Sequence, residues 1–246
     1  MAIVVINGAL ILPMYLGRDI KSSAPICRLL MANVYTQNME HDKLLSYILS
    51  ETPDVIVLLE VNRRWMNALD TLRASYPFYI EAPSSDNFGI AFYSKLPVSA
   101  KTIKVIGDAQ VSSIHAVVIH DGHPLNIIGT HPLPPGGKMY WKWRNDQLDK
   151  VASYVALLKG HSVLIGDLNT TPWSHYFRKL IKNSGLRNSS KGFGLNASWP
   201  SFVMPFGIPI DHCLVSQGIT VNDRRTGTTI GSDHLPLIVD IAIKEP

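Results

Sequence analysis

The sequence predicts an α/β domain in which two mixed β-sheets pack face to face, with helices on the outer side of each. Three observations carry this. Short apolar runs of strand length recur along the chain and end in a single polar side chain. Strand and helix patterns alternate in the first third, give way to a meander of strands, and then alternate again. No repeat, low-complexity tract or long linker divides the 246 residues, so one core serves both halves.

Residues 27–35 read as a strand that ends at Asn33. A helix follows over residues 40–51, with Leu44, Leu45, Ile48 and Leu49 on one face, and Pro53 stops it. Residues 54–61 are almost continuously apolar, as in a strand covered on both faces, and deliver Glu60 at their end. A helix over residues 63–75 closes this part. Short strands then come without helices between them, at 78–81, 89–94, 100–106, 113–119 and 125–130. Turn chemistry separates them, at residues 84–87, at Pro97 and at Asp121-Gly122.

A stiff loop, His131 to Gly137 with three prolines, leads into a helix over 138–159 that shows Leu148, Val151, Ala152, Val155 and Leu158 at helical spacing. Residues 162–167 form the next buried strand. It stops after Gly166 and places Asp167 and Asn169 two residues apart on one side. Two short oxygen-bearing side chains in that arrangement suit a site that fixes a water, a metal or a phosphate oxygen, and equally suit a plain turn that caps the helix predicted over 173–183. A Gly/Ser/Asn-rich loop over 183–198 precedes strands at 210–215 and 237–243.

A chain that is 46% hydrophobic and 17% charged is well cored, which excludes disorder, and a net charge of +4 is compatible with a phosphate-bearing substrate without requiring one. Cys27 and Cys213 lie in predicted strands and read as free core thiols. Residues 2–16 are nearly all apolar, with Arg18, Lys21 and Arg28 after them. Fifteen residues are too few to span a bilayer, and no basic stretch precedes them. Two readings stand: a segment docked on the core, or the tail of a membrane helix with a basic flank. Either sets residues 1–25 apart from a domain over 26–246.

The polar groups at strand ends are Asn33, Glu60, His131, Asp167, Asn169, Asp211 and the run Ser232-Asp233-His234. The blocks around them, Ala-Asn33-Val-Tyr, Leu-Leu-Glu60-Val, Thr-His131-Pro, Gly-Asp167-Leu-Asn169, Ile-Asp211-His and Gly-Ser-Asp233-His234-Leu-Pro, run in the order found in the endonuclease/exonuclease/phosphatase superfamily. The chain resembles that superfamily, and within it bacterial members that carry N-terminal membrane helices. The resemblance implies the DNase-I-like four-layer αββα sandwich and a Mg²⁺-dependent phosphoesterase, with Mn²⁺ able to substitute. A membrane-anchored setting follows from the same resemblance, while the residues themselves name no compartment and no protein partner.

Phosphate-ester hydrolysis needs an activated water, charge to shield the phosphoryl oxygens, and help for the leaving oxygen. The resemblance makes Glu60 the main metal ligand, with Asn33 and Asp233 close by. It makes His234 the general base oriented by Asp211, gives Asp167 and Asn169 the attacking water and a phosphoryl oxygen, and gives His131 the leaving group or the phosphate. Arg144 and Asn145, beside the aromatic pair Trp141 and Trp143, are expected at the substrate, as is Asn87. His41, His115, His120, His123, His161, His175 and His212 read as surface or sheet-edge histidines. Tyr35 stands where abasic-site nucleases of the superfamily carry an acidic residue, which argues against a second acidic metal site. Substrates range over DNA, RNA, a phospholipid headgroup or a small phosphate ester. A non-catalytic scaffold is the rival, while a zinc enzyme lacks the His-x-x-x-His or paired-cysteine spacing it needs.

Overall fold

A computed structural model of the chain describes residues 8, 11–203 and 206–243. The strands are β1 (Cys27–Asn33), β2 (Val55–Leu59), β3 (Phe78–Ala82), β4 (Ile90–Ser94), β5 (Val98–Val105), β6 (Ser112–His120), β7 (His123–Gly129), β8 (His161–Asp167), β9 (Arg187–Asn188), β10 (Asp211–Val215), β11 (Ile219–Thr226) and β12 (Leu237–Ile243). The helices are α1 (His41–Glu51), α2 (Arg63–Leu69), α3 (Lys138–Ala156) and α4 (His175–Ser184). They form two six-stranded sheets, ordered β11-β12-β1-β2-β4-β3 and β5-β6-β7-β8-β10-β9. Each sheet is mixed, with β1 parallel to β2 and β7 parallel to β8 while the other pairings run antiparallel.

Alternation along the strands explains the layers. Leu29, Met31, Val57 and Phe92 from the first sheet meet Ile127, Val163, Ile165 and Cys213 from the second in one apolar interior. The intervening side chains point outward under helices: Leu30, Ile56 and Tyr93 pack on Leu44, Ile48 and Trp65 of α1 and α2. On the other side Ile128, Leu164 and Leu214 pack on Leu148, Val151 and Leu180 of α3 and α4. The result is the four-layer αββα sandwich. Burying each of these large side chains contributes about 1.5–3 kcal/mol.

Three departures from the predicted elements have local causes. The helix over 63–75 is an α-helix only to Leu69 and continues as a 3₁₀ turn over Asp70–Ala74; its start is capped by Asn62, whose side chain accepts from Trp65 N. Strand β11 has no counterpart in the sequence reading because Asn222, Asp223, Arg224 and Arg225 interrupt its apolar pattern, and a bulge between Val221 and Asp223 shifts its register. Strand β9 is two residues long and leaves no periodic signal.

Most of the apolar stretch at 2–16 lies outside the described residues. Its end forms a 3₁₀ turn, Leu12–Met14, with Met14 buried and its carbonyl accepting from Gly194 N at 2.8 Å. The chain then runs along β11: Asp19 pairs with Arg187 at 2.5 Å and accepts from Val221 N, and Ser22 N donates to Asn222 at 3.0 Å. No helix among the described residues is long and apolar enough to cross a membrane.

Candidate active site

Neighbouring strands in both sheets end at the same side of the sandwich, and register decides which side chains meet there. Asn33 lies beside Leu59 in the β1–β2 ladder, so Glu60 is the first residue past the sheet; Asp211 stands directly opposite Asp167 across β8 and β10. Two glycines let the backbones close in. A Cβ at Gly89 would meet Val61 O at 1.8 Å, and one at Gly166 would meet Thr130 O at 1.9 Å, so a larger residue at either place would push apart the strands that carry Glu60 and Asp167. Glu60 and Asn169 themselves take left-handed backbone angles, φ 63° and 49°, which non-glycine residues seldom adopt and which turn both side chains into the site.

The side chains form one connected cluster. Asn33 Nδ2 donates to Glu60 Oε1 at 3.0 Å and to Asp167 Oδ2 at 3.3 Å, while its Oδ1 accepts from Tyr35 N. Glu60 Oε2 accepts from Thr36 N at 3.2 Å and from Thr36 Oγ1 at 3.4 Å, while Oε1, bonded to Asn33, keeps further acceptor capacity. Asp167 Oδ1 accepts from Asn169 N at 2.9 Å. Its Oδ2 lies 3.6 Å from His131 Nε2 and 3.7 Å from His234 Nε2. The far nitrogen of His234, Nδ1, is 2.8 Å from Asp211 Oδ2, so a carboxylate faces each side of that ring.

Charge follows from this geometry. Burial opposes ionisation of His234, but Asp211 and Asp167 outweigh it and push its pKa up to about 10. His131 is likewise raised: burial works against it, and the Asp167 hydrogen bond and the Asp167 and Glu60 charges win. Burial would raise Asp167, yet the two imidazoles and the Asn169 amide hold its carboxyl below the usual range. The two carboxylates thus favour the protonated form of His234 over what burial alone would allow.

The cluster opens into a cleft of about 790 Å³ that has Glu60, His131, Asp167, Asn169, Asp233 and His234 on its walls. Asp233 is held by the Trp199 indole, which donates to its Oδ2 at 3.1 Å. Asn87 sits at the cleft's exposed edge. Arg144 also lines the cleft, yet it is buried: its guanidinium donates to the Asn169 carbonyl at 2.8 Å and twice to Asn145 Oδ1. This pair from α3 thus props the Asp167–Asn169 turn, with the Arg144 charge behind it.

Thr36, Ser232 and Trp199 complete the site without having been singled out individually for a role by sequence. Ser232 Oγ donates to Asn33 O at 2.7 Å and accepts from His234 N, stapling β1 to the histidine turn. Their signals were weak: a threonine three residues past Asn33, a serine within a quoted block, and a tryptophan in a loop without charges. His212 is not the edge histidine its neighbours suggested. It is buried, with Nε2 2.8 Å from Thr170 O, and burial pushes its pKa down to about 4.

A family model described as endonuclease/exonuclease/phosphatase matches residues 32–234. A UPF0294 protein of Yersinia enterocolitica is 30% identical over 127 residues, which is 50% of this chain and 44% of that protein, and one of Yersinia pestis is 30% identical over 128 residues. The chain thus matches less than half the length of these curated relatives. Among solved structures, D. rerio TDP2 complexed with a single-strand DNA product superposes with a TM-score of 0.74 at 16% identity, covering 88% of this chain and 98% of that one. The human Nocturnin catalytic domain with bound sulfate gives 0.73 at 18% identity, covering 94% and 99%. Sphingomyelinase C from Streptomyces griseocarneus gives 0.63 at 16% identity, covering 88% and 99%. These likenesses share the fold that the two sheets and their outer helices build. Spanning β1 to the histidine turn, the match makes this chain a member of the endonuclease/exonuclease/phosphatase family, whose enzymes hydrolyse phosphoric esters with a divalent metal.

Proposed function

We propose that the domain is a Mg²⁺-dependent phosphodiesterase that cleaves by direct in-line attack of water. The observation that carries this reading is the position of Asp167, within 3.7 Å of both His131 and His234 and bonded to Asn33, at the head of a cleft that also receives Glu60.

The donor set fits a hard divalent cation. Glu60 presents a carboxylate with acceptor capacity left on Oε1, and Asp233 adds a second carboxylate to the same cleft. Asp167, Asp211 and His234 also offer three ligand atoms within 4.8 Å of one another. That group fits less well, since Asp211 Oδ2 is committed to His234 Nδ1 and Mg²⁺ favours oxygen over imidazole nitrogen. Bound at Glu60, Mg²⁺ or Mn²⁺ would neutralise phosphoryl charge as it develops. Asn33 holds Glu60 and Asp167 in register with each other.

His234 and His131 donate to phosphoryl oxygens, and the Asp211 hydrogen bond fixes the His234 ring for that task. Asp167 takes the proton of the attacking water, which the Asn169 amide helps to place. In this reading Asp167 rather than His234 takes the proton, since a carboxylate stands opposite each nitrogen of the His234 ring. Arg144 and Asn145 support this turn from behind, and Asn87 meets the substrate at the edge. The TDP2 complex with single-strand DNA product and the sphingomyelinase both support a phosphodiester as the bond broken.

The test is hydrolysis of bis-p-nitrophenyl phosphate, single-stranded DNA, RNA and phospholipid vesicles in Mg²⁺, with and without EDTA. Cleavage that EDTA abolishes and Mg²⁺ restores is the expected result. A protein that binds Mg²⁺ and cleaves none of them would favour the scaffold reading instead.

A further inference from the structure

We infer that the rim of the cleft is a lipid-binding surface and that the phosphodiester it serves belongs to a membrane lipid. The inference rests on the phosphodiesterase reading for the bond broken, and on the surface itself for the lipid.

Among the described residues, six aromatic side chains are exposed: Tyr15, Tyr140, Trp141, Trp199, Phe202 and Phe206. All but Tyr15 lie on two segments that flank the cleft. Met139, Tyr140 and Trp141 occupy the first turn of α3, with Tyr140 lining the cleft; Trp199 lines it too, and Phe202 and Phe206 follow on the next loop at 78% and 86% exposure. Solvent-facing loops seldom concentrate such side chains, since each exposed ring costs hydration that a polar residue would not.

Charge selects the partner. Residues 192–210 contain no Asp, Glu, Lys, Arg or His, while the start of α3 places exposed Lys138 and Lys142 around its aromatic pair. A nucleic-acid track interleaves cations with its aromatic residues along the whole path. One uncharged, aromatic-rich lip and one aromatic lip with a basic flank match a bilayer surface instead, with rings at the acyl boundary and lysines at the headgroups. Ile208 and Ile210 continue the apolar lip down into the cleft.

The loop is fastened to the chemistry. Ser201 N donates to Asp233 O at 2.8 Å, Ser201 Oγ donates to Ser232 O at 2.8 Å, and the Trp199 indole bonds Asp233. Phe202 is therefore held outward by anchors on the segment that carries Asp233 and His234, and a lipid pressed against it presents its phosphate to that segment.

Flotation of the full chain with phosphatidylcholine vesicles and with mixed phosphatidylcholine and phosphatidylglycerol vesicles tests the surface, with Phe202→Ser/Phe206→Ser as the variant. Both side chains are exposed, so the fold is retained, and hydrolysis of soluble bis-p-nitrophenyl phosphate is expected to match the wild type. The wild type should float with both vesicles and more strongly with the anionic mixture. The double variant should lose vesicle affinity by roughly tenfold or more. Equal flotation of the two proteins, or no flotation of the wild type, overturns the inference. So does wild-type binding to single-stranded DNA in preference to vesicles. Vesicle binding by a wild type that hydrolyses neither vesicle lipid nor soluble diester would sustain the surface and sink the phosphodiesterase reading.

Discussion

Between the sheets, Leu29, Val57, Phe92 and Ile127 are shut away from solvent; at the strand ends Asn33, Asp167, Asp211 and His234 are shut away almost as completely. The first set is apolar and interdigitates, so its burial stabilises the fold. The second is polar and only partly satisfied: His131 Nδ1, Asn145 Nδ2 and Asp211 Oδ1 are buried without a hydrogen-bond partner. Unpaired buried polar atoms cost roughly 1–3 kcal/mol each. One end of a shared interior thus carries groups that weaken it, and substitutions at the two places should separate stability from rate.

The largest effect on rate is expected at the polar end. Asp167→Asn should lower kcat by roughly two to four orders of magnitude, as for a lost general base, with a smaller loss of stability than the interior substitution Phe92→Ala, since its carboxylate also pairs with two imidazoles. Steady-state kinetics and a thermal melt on the same preparation check both halves. At the apolar interior, Phe92→Ala should cost about 3–5 kcal/mol of unfolding free energy, measured in urea, while kcat of the folded fraction stays near wild type. A variant that loses both properties at either place would erase the distinction.

His212 offers a smaller, pH-dependent version. Its folded pKa is about 4 against an ordinary 6.5, so the unfolded chain binds the proton first as pH falls. The neutral ring's contribution is present above pH 6.5 and is lost as pH drops from 6.5 to 4, amounting to about 3 kcal/mol. Compared with His212→Gln, the wild type should lose that much more stability between pH 7 and pH 4 in urea titrations. Parallel losses would mean that the ring is already protonated when folded.

How much of this was legible depended on what each residue needed. The strands that form the interior were readable because each shows an apolar run of the right length, and the site residues because each stands at the end of one. Strand β11 was hidden because two of its polar residues are buried with partners: Arg224 donates to Ser189 Oγ at 3.1 Å, and Asn222 bonds Ser22 across the sheet edge. No local pattern encodes a partner tens or hundreds of residues away. The same limit applies to roles. His234 could be identified as a site histidine from its neighbours, but the charge it carries depends on Asp167 and Asp211 arriving on either side of it. Arg144 was legible as a residue of the cleft, but the Asn169 carbonyl and Asn145 that surround its guanidinium were not.

The most direct test of the polar end as a metal-dependent phosphoester site is Glu60→Gln, assayed for bis-p-nitrophenyl phosphate hydrolysis and melted with and without Mg²⁺. The wild type should hydrolyse the diester and melt higher with Mg²⁺. The variant should lose roughly a thousandfold in turnover together with the Mg²⁺-induced shift, and melt like the wild type without the ion. Full turnover, or an intact Mg²⁺ shift in the variant, would contradict the site as built here.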